Sequence, residues 1–483
     1  MAQLSSVQIP KRFPLLVDTS NRDGTTSKDA RLVNCYVELT PDRELWIYKR
    51  PGTLQQAVVS NNSAGLGLTT WNQDVYSVFN VSGGATGATL FRNGVSVATG
   101  LDATAPYTFS SVVGSVPKLV LQNGVQGYSY NTTVGISATL HIINSTYPAN
   151  NTPGLAYLDG YMFVMQHIFG TAITPAVIWQ SNLNSVDQVG DWNALNFITA
   201  QIEPDPGVAL AKQGVYVICL KQWSTEVFYD AGNATGSSLA PVQEAKQPYG
   251  CANAYSVAKI DDTLFWLSQT QSASLQVVMM EELRLGIIST PAISRLLENA
   301  NLTTVFGFGI KIDGHTFYVL NLVSQNLTLV YDKKTQFWSQ WTDQAGNYFP
   351  FIASTYDSSG HHILQHATNG ALYYLDSLYY TDNALPLSVD IYTPPFDAGT
   401  RRRKQLNYIE FICDQIPGAG LTARATDDDY QTWSNPRSVD LGQKRQFLTN
   451  NGTFVRRAYH LNHTANTPFR IQAIEVQFDI GTL

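Results

Sequence analysis

The chain has 483 residues, a formal net charge of −7 at pH 7 and only 14% charged residues. An acidic balance provides no global basic field, so sequence-specific DNA binding is not expected. The charged fraction lies well below the roughly 25% of an average soluble domain. This favours a protein whose surfaces are largely committed to partners, with an ordinary extracellular or virion β-protein as the alternative.

Residues 1–55 are predicted to be an extended lead-in with ring-closing strands, because Pro14, Gly24, Pro41 and Pro51 interrupt any regular element. The N-terminus lacks the apolar stretch of a signal peptide. No run approaches the roughly 18 apolar residues of a membrane helix. The sequence therefore predicts no membrane segment.

A polar turn followed at once by aromatic or β-branched residues recurs about every 40 to 55 residues from Asp74 to Gly360. Seven such segments occur, at 73–79, 114–121, 159–164, 213–218, 261–267, 313–319 and 359–364. Each is followed by a second aromatic strand, at 89–94, 127–131, 177–181, 226–230, 275–280, 327–332 and 371–376. Each pair predicts a β-hairpin.

A repeat of this length is typical of propeller blades, since blades stacked around an axis bury each other's faces. The sequence therefore predicts an all-β fold with a β-propeller over residues 56–385. Six or seven blades fit the pattern, and seven are favoured.

Residues Asn182 to Pro206 interrupt the repeat and are predicted to form a loop that projects from one face as a candidate contact surface. The loop contains Trp192 and the acidic turn Glu203-Pro204-Asp205-Pro206. The helix signal outside the repeat is Ser294 to Ala300, preceded by Thr290-Pro291.

After Asp376 the pattern changes to strict alternation of apolar and polar residues, at 386–392, 408–413 and 469–480. Alternation of this kind indicates strands with one solvated face. We predict a separate antiparallel β-sandwich over residues 386–483.

Residues 426–434 resemble the Asp-box turn of sialidase-type propellers, in which a carboxylate binds turn amides and a Trp packs beneath. Asp429 or Tyr430 stands where that turn usually has Gly. The element is structural even in sialidases, so we predict a stabilised hairpin turn.

Catalysis by a sialidase would need several arginines that converge on the substrate carboxylate. Arg401-Arg402-Arg403-Lys404 are contiguous, and alternate side chains of a strand point to opposite faces. The cluster is either a contact for another subunit or a phosphate, or a solvated strand edge. A carbohydrate-active or glycan-binding propeller stays the alternative function.

Histidines and cysteines give no metal pattern. His315, His361, His362 and His366 are predicted to lie at the surface or in turns, because the adjacent His361 and His362 would face opposite sides of a strand. The cysteines lie far apart, without a Cys-x-x-Cys pair, and are expected to be free, buried thiols: Cys35, Cys219, Cys251 and Cys413.

Nucleophile-elbow, metalloprotease and phosphate-loop signatures are missing from the sequence. We predict a non-enzymatic protein with no catalytic residue, no cofactor and no metal.

Two segments carry a family resemblance. Residues 27–38, with Arg31-Leu32-Val33-Asn34-Cys35-Tyr36, and residues 48–53, with Arg50-Pro51-Gly52, resemble the opening of tail proteins from short-tailed bacteriophages. Residues 207–229, with Ser224-Thr225-Glu226, resemble the packaged-DNA stabilisation or tail hub proteins of these phages. The resemblance continues through 249–252, 264–267, 425–428 and 455–457.

This resemblance implies a structural virion protein of the tail, assembled in the host cytoplasm. It implies a homo-oligomeric ring, with a hexamer favoured, that forms the tail nozzle or hub. The implied partners are a tail adaptor ring above and needle, plug, fibre or spike proteins below or laterally. DNA would pass through the lumen during ejection without sequence-specific binding, and the closed ring would help retain the packaged genome.

Overall fold

The computed structural model describes residues 11–15, 29–42, 44–166, 176–272, 274–298 and 300–481. Parts of the predicted lead-in, residues 1–10 and 16–28, lie outside these described residues, as does Asn299 of the predicted helix. The described residues form an all-β fold with two short α-helices. Neither helix is long and apolar enough to cross a membrane.

Five strands precede the repeats: β1 (Lys11–Phe13), β2 (Arg31–Val33), β3 (Cys35–Leu39), β4 (Leu45–Lys49) and β5 (Gly52–Val58). Strands β1 and β4 pair with the last strand of the chain, and β3 pairs with β4. Strands β1, β3 and β4 therefore belong to one sheet with the C-terminal strand β42. Short strands with partners at the opposite end of the chain leave no local pattern.

Five four-stranded antiparallel sheets follow in order. Their strands are β6 (Ala64–Trp71), β7 (Asp74–Asn80), β8 (Ala88–Arg92) and β9 (Val95–Leu101); β10 (Thr108–Val112), β11 (Lys118–Gln122), β12 (Gly127–Asn131) and β13 (Gly135–Ile136); β14 (Ala156–Leu158), β15 (Tyr161–Gln166), β16 (Ala176–Ser181) and β17 (Trp192–Ala200); β18 (Gly207–Gln213), β19 (Tyr216–Lys221), β20 (Thr225–Asp230) and β21 (Leu239–Pro241); and β22 (Ala258–Ile260), β23 (Thr263–Gln269), β24 (Leu275–Glu281) and β25 (Arg284–Ile287). Helix α1 (Leu140–Ile143) lies between the second and third sheets.

Helix α2 (Pro291–Leu297) then leads into the next strands. They are β26 (Val305–Ile312), β27 (His315–Leu322), β28 (Leu327–Asp332) and β29 (Trp338–Gln340), followed by β30 (Phe351–Tyr356), β31 (His362–His366) and β32 (Ala371–Asp376). Strands β26 to β29 pair in sequence, so six blades are each built from four consecutive strands. Strands β30, β31 and β32 form a further sheet in which β5 supplies the strand beside β32.

The predicted hairpins are confirmed, since the second and third strands of every sheet are antiparallel partners. The tight turn between the first and second strands explains the polar start of the repeat. In Asp159-Gly160 the φ angles are 49° and 91°, and in Asp313-Gly314 they are 51° and 77°. Such turns match the twist of hairpin strands and favour Asp-Gly.

Neighbouring sheets bury a shared apolar cluster at each interface, and the last sheet packs against the first. Leu68, Val75 and Phe79 of the first sheet contact Ile363 and Leu372 of the sheet made by β30 to β32. The blades therefore close around an axis, and the chain contains a β-propeller.

The remaining strands are β33 (Thr381–Asp382), β34 (Leu385–Pro386), β35 (Val389–Tyr392), β36 (Lys404–Cys413), β37 (Gly420–Thr426), β38 (Arg437–Asp440), β39 (Gln446–Thr449), β40 (Thr453–Phe454), β41 (Ala458–His463) and β42 (Arg470–Ile480). One sheet joins β3, β4, β42, β36 and β39, with β1 beside β42 and β40 beside β36. The other continues the blade of β26 to β29 through β2 into β35, β41, β37 and β38. One large apolar cluster, which includes Val37, Ile391, Leu421 and Ile474, draws on both sheets.

Two local predictions differ from the structure. Helix α2 begins at Pro291, earlier than Ser294, because the Thr290 side chain accepts a hydrogen bond from the Ile293 amide and caps it. Residues Asn182 to Pro206 are not wholly a loop, because they contain the nine-residue strand β17 paired with β16. Trp192 is buried, and its indole donates to the Val186 carbonyl at 2.8 Å.

Candidate functional site

The propeller axis holds a cavity of about 410 Å³. Residues of the inner strands line it, including Leu66, Thr108, Lys259, Phe308 and Ser354. A sphere of that volume is about 9 Å across, whereas the major groove of B-DNA alone is about 12 Å wide. The cavity is therefore small compared with a DNA duplex.

Close approach of the inner strands accounts for this narrow axis. A Cβ atom on Gly307 would lie 2.2 Å from the Ser256 carbonyl oxygen, and one on Gly309 would lie 2.3 Å from Ile260 Cγ1. Both distances are shorter than a real Cβ contact allows. Glycine at these positions lets β26 lie close to the backbone of Ser256 and to the side chain of Ile260.

Two cationic side chains of the cavity wall are each paired with a carboxylate. Lys311 donates to both oxygens of Asp261 at 2.9 Å, and Lys259 lies 3.3 Å from Asp262. These pairs are exposed and so are expected to contribute little to stability. They leave no cluster of unpaired cations here that would hold a phosphate chain.

The sequence-predicted cationic cluster separates into two kinds of side chain. Arg401, Arg402 and Arg403 are exposed. Lys404 is fully buried, and its ammonium donates to the carbonyls of Thr400, Arg402 and Val455 at 2.7, 2.9 and 2.8 Å. Burial lowers the pKa of Lys404. The arginines do not converge as a sialidase site requires.

The Asp-box-like turn forms as predicted around Asp428. This carboxylate accepts hydrogen bonds from the amides of Gln431 and Thr432 at 3.2 and 2.9 Å and from the Thr426 hydroxyl at 2.7 Å. A further bond from the Thr432 hydroxyl contributes most to lowering the pKa of Asp428 to about 2. The Trp433 ring packs on His460, with centroids 5.6 Å apart. The turn stabilises a hairpin.

The surface prediction for the histidines is wrong for two of them. His315 and His362 are buried, with 1% and 4% of their surface exposed. His361 is exposed and lies 2.9 Å from Asp357 Oδ2. Burial lowers the pKa of both His362 and His366 to about 4. Among the described residues, no group of three His, Cys, Asp or Glu side chains could hold a metal ion.

The cysteines are free thiols, as predicted. Cys35, Cys219 and Cys251 are buried, and Cys413 is partly exposed. Burial raises the pKa of the Cys251 thiol to about 12. Thiols of this kind act as small apolar groups rather than nucleophiles.

A buried charge network lies where the sequence predicted an exposed acidic turn. Lys221 is 0% exposed and donates to Glu226 Oε1 and to the Glu203 carbonyl, both at 2.5 Å. Asp205, also 0% exposed, lies 3.1 Å from the same ammonium and accepts from Ser224 Oγ at 2.7 Å. The Asp205 carboxylate therefore stabilises the interior of a blade and does not present its charge to a partner.

A second buried charge network anchors β5, and no sequence signal identified it. All five N–H groups of Arg50 are bonded: to Asp382 Oδ1 and Oδ2 at 3.1 and 2.6 Å, to Asn34 Oδ1 at 2.9 Å, and to the Pro51 and Thr342 carbonyls at 2.9 Å. This side chain is 0% exposed. The Arg-Pro-Gly segment is therefore a structural anchor for the strand that completes the last propeller sheet.

A family model described as "Bacteriophage P22 Gp10, beta-propeller" matches residues 44–380. The chain belongs to this family. It is therefore a bacteriophage structural protein, a virion component involved in stabilising packaged DNA. No curated protein matches the chain.

Solved structures show only a weak likeness. The chain is similar to BBS1N in its complex with ARL6DN (10% identity, 68% of this chain and 97% of that chain, TM-score 0.41). It is similar to the RRP9 WD40 repeats (6% identity, 68% and 99%, TM-score 0.41). It is also similar to the extracellular domain of a putative one component system, BT4673, from B. thetaiotaomicron (10% identity, 86% and 58%, TM-score 0.41). Likeness at this level carries no functional argument.

Proposed function

We propose that the chain is the repeating subunit of a tail nozzle or hub ring of a short-tailed phage, with six copies favoured. DNA passes through the lumen enclosed by the copies during ejection, and the closed ring helps retain the packaged genome. The family match over residues 44–380 carries the proposal. The partners are a tail adaptor ring above and needle, plug, fibre or spike proteins below or laterally.

The narrow propeller axis supports a lumen between copies rather than within one. Because the cavity of about 410 Å³ is too small for a duplex, a DNA conduit needs several subunits around a wider opening. Head-to-tail contacts close such a ring, and a stable contact buries more than about 1,000 Å². Large apolar side chains are exposed around β17 and its neighbours, with Val134, Val189 and Leu195 at 81%, 89% and 73%.

Charge also favours passage without tight binding. The net charge is −7, and only 14% of the residues are charged. Each phosphate contact would add salt-dependent affinity and therefore drag on a moving duplex. A polar lumen with few free cations lets DNA slide.

We further propose that the sheet of β30, β31, β32 and β5 is a seventh blade. Apolar clusters on both of its sides support this, one shared with β26 to β28 and the other with β6 and β7. The C-terminal residues from 386 to 483 are proposed to form a β-sandwich, with β1 to β4 included. Their common apolar core supports this assignment.

Electron microscopy and light scattering of the purified full chain, alone and with the other tail proteins, test the proposal. We expect closed rings with an opening wider than a duplex. Two variants of matched chemistry sharpen the test: Leu195→Asp, within β17, and Leu378→Asp, at a position that is 76% exposed and follows β32. We expect Leu195→Asp to weaken ring formation at least tenfold and Leu378→Asp to leave it unchanged. Monomers alone and with virion components would contradict the ring.

A further inference from the structure

Both ring nitrogens of His315 face carboxylates. Nδ1 lies 2.7 Å from Asp332 Oδ2, and Nε2 contacts Glu38 Oε2. The His315 side chain is 0% exposed. A neutral imidazole has one N–H and one bare nitrogen, so only the doubly protonated ring can donate to both carboxylates.

The two carboxylates come from different parts of the fold. His315 begins β27 and Asp332 ends β28, so both belong to a propeller blade. Glu38 lies in β3, within the sheet that contains the C-terminal strand β42. The histidine therefore bridges the propeller and the terminal sheet.

Further ionisable groups of the described residues lie near the ring. Lys334 Nζ lies 2.8 Å from Glu38 Oε1 and 3.4 Å from His315 Nε2. The Tyr36 ring on β3 lies 5.0 Å from the imidazole, and Asp313 is in the turn just before β27. With His315 protonated, the charges of His315, Lys334, Glu38 and Asp332 sum to zero. Loss of that proton leaves one uncompensated negative charge beside a buried ring.

Hydrogen bonding decides which group holds the shared proton. Burial acts to lower the pKa of His315, but bonds to Asp332 and Glu38 outweigh it and raise that pKa above 6.5. Burial acts to raise the pKa of Glu38, but the bonds from Lys334 and His315 lower it overall. The proton therefore stays on the imidazole.

We propose that His315 is a charge-dependent latch that holds strand β3 of the terminal sheet to strands β27 and β28 of the propeller. Deprotonation opens the latch at Glu38. Asp332 stays in place because the Thr335 hydroxyl donates to Oδ2 at 2.7 Å and the Lys334 amide donates to Oδ1 at 3.0 Å. The remaining N–H of His315 stays with Asp332, and the bare Nε2 then opposes Glu38.

The sign of the pH effect follows from the raised pKa. The stabilisation from a protonated His315 is complete below 6.5 and is lost as the pH rises through the pKa of the folded state. Alkaline conditions therefore loosen the contact between the propeller and β3, whereas acid leaves it closed down to the pH at which the carboxylates themselves take up protons.

The test uses the full chain with ¹⁵N-labelled histidine. NMR should show both His315 nitrogens protonated at about pH 6, with a titration midpoint above 6.5, assigned through the His315→Gln variant. Hydrogen exchange of β3 amides, expressed as protection factors, gives the structural readout. At about pH 6, His315→Gln should lower protection of β3 at least tenfold. The difference from wild type should shrink as the pH rises beyond the folded-state pKa.

His361→Gln is the matched control, because His361 makes a similar bond to Asp357 but is 53% exposed. It should leave β3 protection unchanged. Glu38→Gln keeps the His315–Asp332 pair and serves if His315→Gln does not fold; it should lower β3 protection in the same pH-dependent way. A titration midpoint of His315 at or below 6.5, or an effect of either variant that does not change with pH, would overturn the latch.

Discussion

Removing the carboxylate that pairs with Arg50 should destabilise the closure of the propeller. In Asp382→Ala the guanidinium keeps its bonds to Asn34 and to two carbonyls but loses its counter-charge. Thr53 also loses two bonds, because its amide and hydroxyl donate to Asp382 Oδ1 at 3.1 and 3.0 Å. Thr53 belongs to β5, so the substitution destabilises the strand that completes the last propeller sheet.

The magnitude follows from burial. Arg50 is 0% exposed and Asp382 15% exposed, and loss of one partner of a buried ion pair costs about 3–5 kcal/mol. The control is Asp262→Ala, whose partner Lys259 is 40% exposed while Asp262 itself is 78% exposed. An exposed pair of this kind contributes about 0–1 kcal/mol.

Urea unfolding followed by tryptophan fluorescence measures the difference. The buried Trp341 ring lies 5.5 Å from the Arg50 guanidinium and reports on this region. Hydrogen exchange should also show earlier opening of β5 in Asp382→Ala than in Asp262→Ala. If the two variants unfold within about 1 kcal/mol of each other, the anchor role of Arg50 is wrong.

Three further predictions concern packing, a turn and the thiols. Gly307→Ala should lower the free energy of unfolding by about 1–3 kcal/mol, because its Cβ would meet the Ser256 carbonyl at 2.2 Å. Gly286→Ala, a strand glycine with open space around it, should be neutral, and equal melting temperatures of the two variants would contradict the close-approach argument. Carboxyl NMR should show Asp428 ionised until about pH 2; its contribution to the turn is complete above the ordinary value of 3.8 and is lost as the pH falls through about 2, so a midpoint near 3.8 would count against the turn bonds. Cys251 should resist a thiol reagent in the native chain and react only after unfolding, since burial raises its pKa to about 12; fast native labelling would show that the thiol is accessible.

Local sequence patterns were sufficient for the hairpins of each repeat. Alternation of apolar residues acts over a few residues, so 159–164 with 177–181 and 313–319 with 327–332 could be paired from sequence alone. The same reasoning located the Asp-box-like turn at Asp428 and the free cysteines. The sequence did not predict the first and fourth strands of the sheets, because their residues lack a strong aromatic pattern.

Only the tertiary structure decided how the two ends of the chain meet. The pairing of β5 with β32 and of β1 with β42 joins residues far apart in sequence, and no local periodicity encodes such partners. The same holds for the charges: Arg50, Lys221 and His315 read as ordinary polar residues in the sequence. Their burial depends on carboxylates that the fold brings to them, because a charge leaves water only where a distant partner compensates its desolvation.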